Sequence, residues 1–118
     1  MSDDSPQTLE AFRHFREKMN AAILAADNLT VTRFFALDTR TYEAGALPVK
    51  TKELLGLVAS MVLRCDDCVT YHLVRCREEG VNHAELYDAF AVALVVGGSI
   101  VIPHLRRAVA RLEELPQS

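Results

Sequence analysis

Apolar residues recur along this chain at intervals of three and four, and no run alternates apolar and polar residues over the length of a strand. Leu9, Phe12, Phe15, Met19, Ala22, Ile23 and Ala26 predict an amphipathic helix from about Gln7 to Ala26, with Asn28 and Thr30 ending it. A shorter helix is expected over Val31 to Tyr42, before the breaker Ala44-Gly45-Ala46-Leu47-Pro48. A third is expected from Pro48 to Arg64, with Pro48 in its first turn and Leu54, Leu55, Val58, Met61 and Val62 as its apolar stripe. A fourth starts near Cys65 and stops at Gly80.

Asn82 followed by Glu85 has the form of a capping box and opens a fifth helix through Val96. That helix is apolar on nearly every side and is expected to be buried, within the monomer or between subunits. Gly97-Gly98 breaks the chain, and Ser99 is expected to cap a last helix ending near Leu112. The expected architecture is all-α, a bundle of about six helices.

With 118 residues the chain fits one domain, residues 1–118. A core of this size is modest, which favours self-association. The formal charge of −3 is spread over mixed signs, with no basic stripe interleaved with aromatics, so nucleic acid is not an expected partner. The longest uncharged stretch, Ala89 to Pro103, falls short of the ~18 to 20 apolar residues that span a bilayer. The start Met-Ser-Asp-Asp lacks the basic and apolar regions of a secretory leader, so a cytoplasmic location is expected.

Three cysteines, Cys65, Cys68 and Cys76, fall within twelve residues. An odd, tightly clustered set is a poor staple for a fold, and in a reducing compartment a CxxC points to redox or metal chemistry. At ~100° per residue, Cys65, Cys68, His72 and Cys76 project within ~80° of one another on one helical face. His72 lies one turn beyond Cys68, within side-chain reach. The thiolate is the nucleophile and a free cysteine has a pKa of about 8.5, so the thiol needs activation. The N–H groups of a helix N-terminus and proton exchange with His72 both supply it. The second cysteine can then resolve a mixed disulfide. Two alternatives stay open: a zinc site with a fourth ligand among Cys76, His83 and His104, and a pair of buried core thiols beside a satisfied histidine.

Glu53 sits twelve residues before Cys65, in Leu47-Pro48-Val49-Lys50-Thr51-Lys52-Glu53-Leu54-Leu55. The order Glu53, Cys65-x-x-Cys68-x-x-x-His72, Gly80, Glu85, Gly97-Gly98 resembles the carboxymuconolactone decarboxylase superfamily over about residues 45–110. The cysteine pair places the resemblance in its AhpD-like, alkylhydroperoxidase branch, among the short single-unit members. True carboxymuconolactone decarboxylases generally lack that pair.

The resemblance implies a thiol-dependent oxidoreductase that reduces peroxides or disulfides by cycling through a Cys65–Cys68 disulfide, without metal or organic cofactor. It implies Cys68 as the attacking thiol, Cys65 as its partner, and Glu53 with His72 as the proton relay. It also implies a homotrimer or homohexamer and an external thiol reductant. The alternatives are a lyase acting on a lactone or muconate-type acid through His72 and Glu53, and a non-catalytic oligomeric stress-associated protein.

Where alkylhydroperoxidase has a histidine beside the second cysteine, this chain has Asp67. The Asp66-Asp67 pair is expected to raise nearby thiol pKa values by repelling the thiolate. Cys76 is expected to be a packed small residue, Glu53 has the bland alternative of a solvated first-turn carboxylate, and His104 is either site-lining or structurally satisfied. Arg106, Arg107 and Arg111, with Glu113 and Glu114, suggest a solvated face of the last helix.

Overall fold

The computed structural model describes residues 8–116, which form helices joined by short turns with no strand among them. The chain divides into two compact units, one up to Ala44 and one from Gly45 onward.

The first unit holds α1 (Leu9–Ala25) and α2 (Leu29–Thr41). Thr8 caps α1, its hydroxyl accepting from the Ala11 N–H at 3.2 Å. Asp27, at φ 61°, ends the helix by turning the chain into the left-handed region. Asn28 does not terminate α1 as expected: its side chain accepts from the Val31 N–H at 3.1 Å and caps α2, which contains Thr30. An asparagine before a helical stretch is as good a start signal as it is a stop, and only the backbone decides between them. The expected start at Gln7 lies outside the described residues.

The second unit holds α3 (Val49–Val62), α4 (Asp66–Glu78), α5 (His83–Gly97), a 3₁₀ turn at Ser99–Val101 and α6 (Ile102–Glu113). Helix α3 packs on both α4 and α5, and α4 also packs on α6. Leu57 and Met61 from α3, Leu73 from α4, and Leu86 and Phe90 from α5 form the fully buried centre. Burying such side chains is worth about 1.5–3 kcal/mol each.

The inner face of α3 is rotated from the expected stripe. Glu53, Leu57, Ser60 and Met61 point inward, while Leu55 is exposed. A carboxylate can lie on an inner face only if it is paired there, and sequence periodicity does not score that.

Helix α4 ends as expected. Gly80, at φ 85°, lets its N–H reach the Arg77 carbonyl at 3.1 Å while the Val81 N–H reaches the Cys76 carbonyl at 2.9 Å, a Schellman pair. The capping box on α5 forms: the Glu85 N–H donates to Asn82 Oδ1 at 2.8 Å, and the Asn82 N–H donates to Glu85 Oε1 at 2.9 Å. Lys50 pairs with the other Glu85 oxygen at 3.0 Å, tying α3 to the start of α5.

Two further expectations need correction. Pro48 is the cap residue of α3 rather than part of its first turn, and Ser99 opens a 3₁₀ turn, so that Pro103 occupies the first turn of α6. Helix α5 turns Leu86, Phe90 and Ala93 inward, whereas Val92, Val95 and Val96 are exposed on this chain, the face that the expectation of burial between subunits concerns.

Candidate active site

The turn between α3 and α4 sets the position of the cysteine pair. Arg64 adopts φ 61°, a left-handed conformation that costs a non-glycine residue about 1 kcal/mol. The Cys65 N–H then bonds to the Ser60 carbonyl at 3.0 Å, and the Ser60 hydroxyl donates to the Gly56 carbonyl at 2.6 Å. Cys65 becomes the cap of α4: its Sγ accepts from the Cys68 N–H at 3.4 Å. A sulfur there sits at the positive end of the helix dipole.

From Cys65 the face descends into the protein. Cys65 is half-buried, Cys68 is exposed, and His72 and Cys76 are buried; all three cysteines are free thiols. Glu53 and His72 meet. Only 1 % of Glu53 and 8 % of His72 is accessible, and Glu53 Oε1 lies 2.8 Å from His72 Nδ1. The reading of Glu53 as a solvated carboxylate is thereby excluded. With the carboxylate oxygen as acceptor, Nδ1 is the donor in this contact.

The second Glu53 oxygen is 3.4 Å from Arg75 Nε. Arg75 is held in turn by Glu78 at 2.6 Å and Glu79 at 3.1 Å. Its guanidinium is pushed above its ordinary pKa, first by the hydrogen bond to Glu78 and with help from Glu79 and Glu53. A buried carboxylate with a hydrogen-bond donor on one oxygen and a guanidinium on the other is compensated where an isolated one is not.

The imidazole of His72 lies against Gly56. A Cβ at that position would fall 2.6 Å from Cε1 and 2.7 Å from Nε2, closer than carbon atoms pack. Tyr71 meets the ring edge-on, with centroids 5.1 Å apart. Backbone on one side, Glu53 at one nitrogen and an aromatic ring at the edge hold the imidazole in one orientation.

Cys76 belongs to the core. Burial, reinforced by the Glu53 charge and opposed by Arg75, pushes its thiol up to about 12, so it stays protonated. His104 is engaged as well: its Nδ1 lies 2.8 Å from Asp66 Oδ1, and Arg107 Nε lies 3.6 Å from Asp66 Oδ2. Arg111, expected on a solvated face, has a side chain only 11 % exposed and pairs with Glu114 at 3.1 Å. No group of three or more His, Cys, Asp or Glu side chains among the described residues is arranged to hold a metal ion. Among the same residues, no helix is long and apolar enough to cross a membrane.

Sequence reasoning did not single out Gly56, Ser60 or Arg75. Gly56 was detectable: an isolated glycine inside a helical pattern costs about 1 kcal/mol relative to alanine and marks a close approach. Arg75, three residues beyond His72, had no such signal.

Fold and site together define a small all-helical protein with a capped CxxC and a buried Glu–His pair on adjacent helices. The chain belongs to the carboxymuconolactone decarboxylase family, which it matches over residues 28–111. That match begins before residue 45 and takes in α2. The chain is similar to a Thermotoga maritima protein of known crystal structure, with a TM-score of 0.85 and 59 % identity over 87 % of this chain and 90 % of that one. In a second crystal structure, with a TM-score of 0.83 and 58 % identity over 87 % of each chain, that protein is described as a carboxymuconolactone decarboxylase family protein for which an involvement in antioxidative response has been suggested. A family protein from Legionella pneumophila shares the fold, with a TM-score of 0.76 at 23 % identity over 87 % of this chain and 95 % of that one. An uncharacterized protein of the cox locus of Paracoccus denitrificans is 29 % identical over 82 residues, 70 % of this chain and 74 % of the relative.

Proposed function

We propose that this protein is a thiol-dependent oxidoreductase that reduces peroxides or disulfides through the Cys65–Cys68 pair. The observation that carries the proposal is the buried 2.8 Å contact between Glu53 and His72, one helical turn from the exposed Cys68. The suggested antioxidative role of the Thermotoga maritima protein supports the same chemistry.

In this reaction His72 Nε2 takes the Cys68 proton, with Glu53 stabilising the imidazolium that results. The Cys68 thiolate attacks one peroxide oxygen and the O–O bond breaks. The departing alkoxide takes a proton and leaves as an alcohol, and Cys68 becomes a sulfenic acid. Cys65, its sulfur at the helix N-terminus, attacks the Cys68 sulfur and expels water, which closes the disulfide. An external dithiol returns the two electrons by thiol–disulfide exchange. With a disulfide substrate, Cys68 forms a mixed disulfide and Cys65 releases the reduced product.

The test is mass spectrometry of the protein before and after stoichiometric peroxide. A loss of two hydrogens localised to Cys65 and Cys68 is expected, together with loss of peroxide and disulfide turnover in Cys68→Ser. A wild-type protein that stays fully reduced and inert to both substrates would overturn the proposal. The same reading expects a homotrimer or homohexamer, supported by the exposed Val92, Val95 and Val96 on α5. Sedimentation equilibrium at micromolar concentration checks it, and a monodisperse monomer is the adverse result.

A further inference from the structure

Asp66 is the first residue of α4 and the immediate neighbour of Cys65, two residues from Cys68. A carboxylate so placed opposes thiolate formation, because it adds a like charge beside the developing one. Yet both of its oxygens are directed at α6. Oδ1 lies 2.8 Å from His104 Nδ1, and Oδ2 lies 3.6 Å from Arg107 Nε. These contacts join residues 38 and more positions apart in sequence across the α4–α6 packing, at the end of α4 that bears the cysteines.

We infer that His104 and Arg107 are positioning residues for the dithiol: they clamp Asp66 and cancel the charge that would otherwise suppress thiolate formation at Cys65 and Cys68. The inference rests on the proposed dithiol chemistry and adds a control of it from α6. The clamp has two effects. It fixes the first turn of α4, so that the Cys68 N–H keeps its 3.4 Å contact with Cys65 Sγ. It also offers hydrogen-bond donors and positive charge to a carboxylate whose other near neighbours include Asp67, of the same sign. Further along α4, His72 is engaged by Glu53, and Arg75 by Glu53, Glu78 and Glu79. Arg64, beside Cys65 in the chain, is a further basic residue near the pair, but the ion pairs that Asp66 makes are those with His104 and Arg107 of α6.

The experiment reads the Cys68 thiol directly, in a Cys65→Ser background where no disulfide forms and Cys76 is buried. The rate of iodoacetamide alkylation is followed from pH 5 to 10, which gives the thiol titration without any turnover. His104→Ala and Arg107→Ala combined are expected to shift the titration upward and slow alkylation at pH 7 by roughly threefold to tenfold. His104→Gln, which keeps an N–H donor for Asp66, is expected to recover part of the loss. Asp66→Asn is expected to shift the titration downward. In the Asp66→Asn background the two α6 substitutions are expected to have no further effect.

An equal slowing in both backgrounds would show that α6 does not act through Asp66, and an unchanged titration in the Asp66 protein would show that it does not act on the thiol; either overturns the inference. A change confined to melting temperature, with the titration unmoved, does the same. Because the titration needs no peroxide, a wild-type protein that fails to form the disulfide defeats the proposed function and leaves this measurement standing.

Discussion

Gly56 on α3 and the imidazole of His72 on α4 are in such close contact that a methyl group on residue 56 would lie 2.6 Å from Cε1 and 2.9 Å from Nδ1. The missing side chain is thus part of the candidate site. Gly56→Ala must displace the ring, since the ring is the movable partner and the helix backbone is not. Displacement breaks the register between Nδ1 and Glu53. Peroxide- or disulfide-driven oxidation of the dithiol is expected to slow by about tenfold to a hundredfold, the usual scale of a positioned acid–base group. Stability should fall as well, by about 1–3 kcal/mol, because alanine's better helix propensity offsets only part of the crowding and of the lost contact. Stopped-flow oxidation beside a thermal melt separates the two, and unchanged oxidation would mean the imidazole is not used.

Glu53 is the single buried carboxylate that both orients His72 and meets Arg75 among the described residues. Glu53→Gln keeps the volume but removes the charge that stabilises an imidazolium. It is expected to lower the oxidation rate by at least tenfold and to move the rate–pH profile, since His72 loses its anionic partner. Glu53→Ala is expected to cost more in folding, about 3 kcal/mol, by stranding His72 beside a cavity. Denaturant titration of the two variants reads this. Stability of both variants equal to that of wild type would show that the buried pair contributes nothing to the fold.

Much of this was legible in the amino-acid sequence. The cap at Asn82–Glu85 and the stop at Gly80 follow from short-range chemistry that any such sequence obeys, and they form as expected. The inner face of α3 was not legible, because periodicity ranks Leu55 above Glu53 as a core residue. The reverse holds only because His72 and Arg75 arrive from α4 to compensate the charge. Asn28 shows the same limit at a boundary: its side chain serves the helix that follows, and the turn that ends α1 is made by Asp27. The contact of Asp66 with His104 spans 38 residues and had no sequence signal at all.

The capping box predicts an acid-sensitive step in stability. The Glu85 carboxyl is held below its ordinary range, first by the Asn82 backbone N–H and then by Lys50. Its folded pKa lies below its unfolded one, so its contribution is in place above the ordinary glutamate range and is lost as pH falls through the folded value. Glu85→Gln retains an acceptor for the cap but loses the charge paired with Lys50. Melting temperatures of the two proteins should differ at pH 7, with the wild type higher, and converge in acid. A gap that does not change with pH would assign the effect to shape rather than charge.

Cys76 predicts the opposite, alkaline behaviour. Its thiol titrates near 9 in an unfolded chain but is pushed up to about 12 here by burial and by Glu53. The folded pKa is the higher one, so the protonated thiol's contribution is complete below the unfolded value and is lost as pH rises towards the folded value. Wild-type stability should therefore fall relative to Cys76→Ala as pH climbs past 9, by about 1.4 kcal/mol per pH unit at most. The same burial predicts a thiol count: at pH 8 the native protein should offer only Cys65 and Cys68 to a chromogenic disulfide, with Cys76 joining them in denaturant. Rapid labelling of Cys76 in the native state would show that this part of α4 opens, and would remove the basis for the alkaline loss as well.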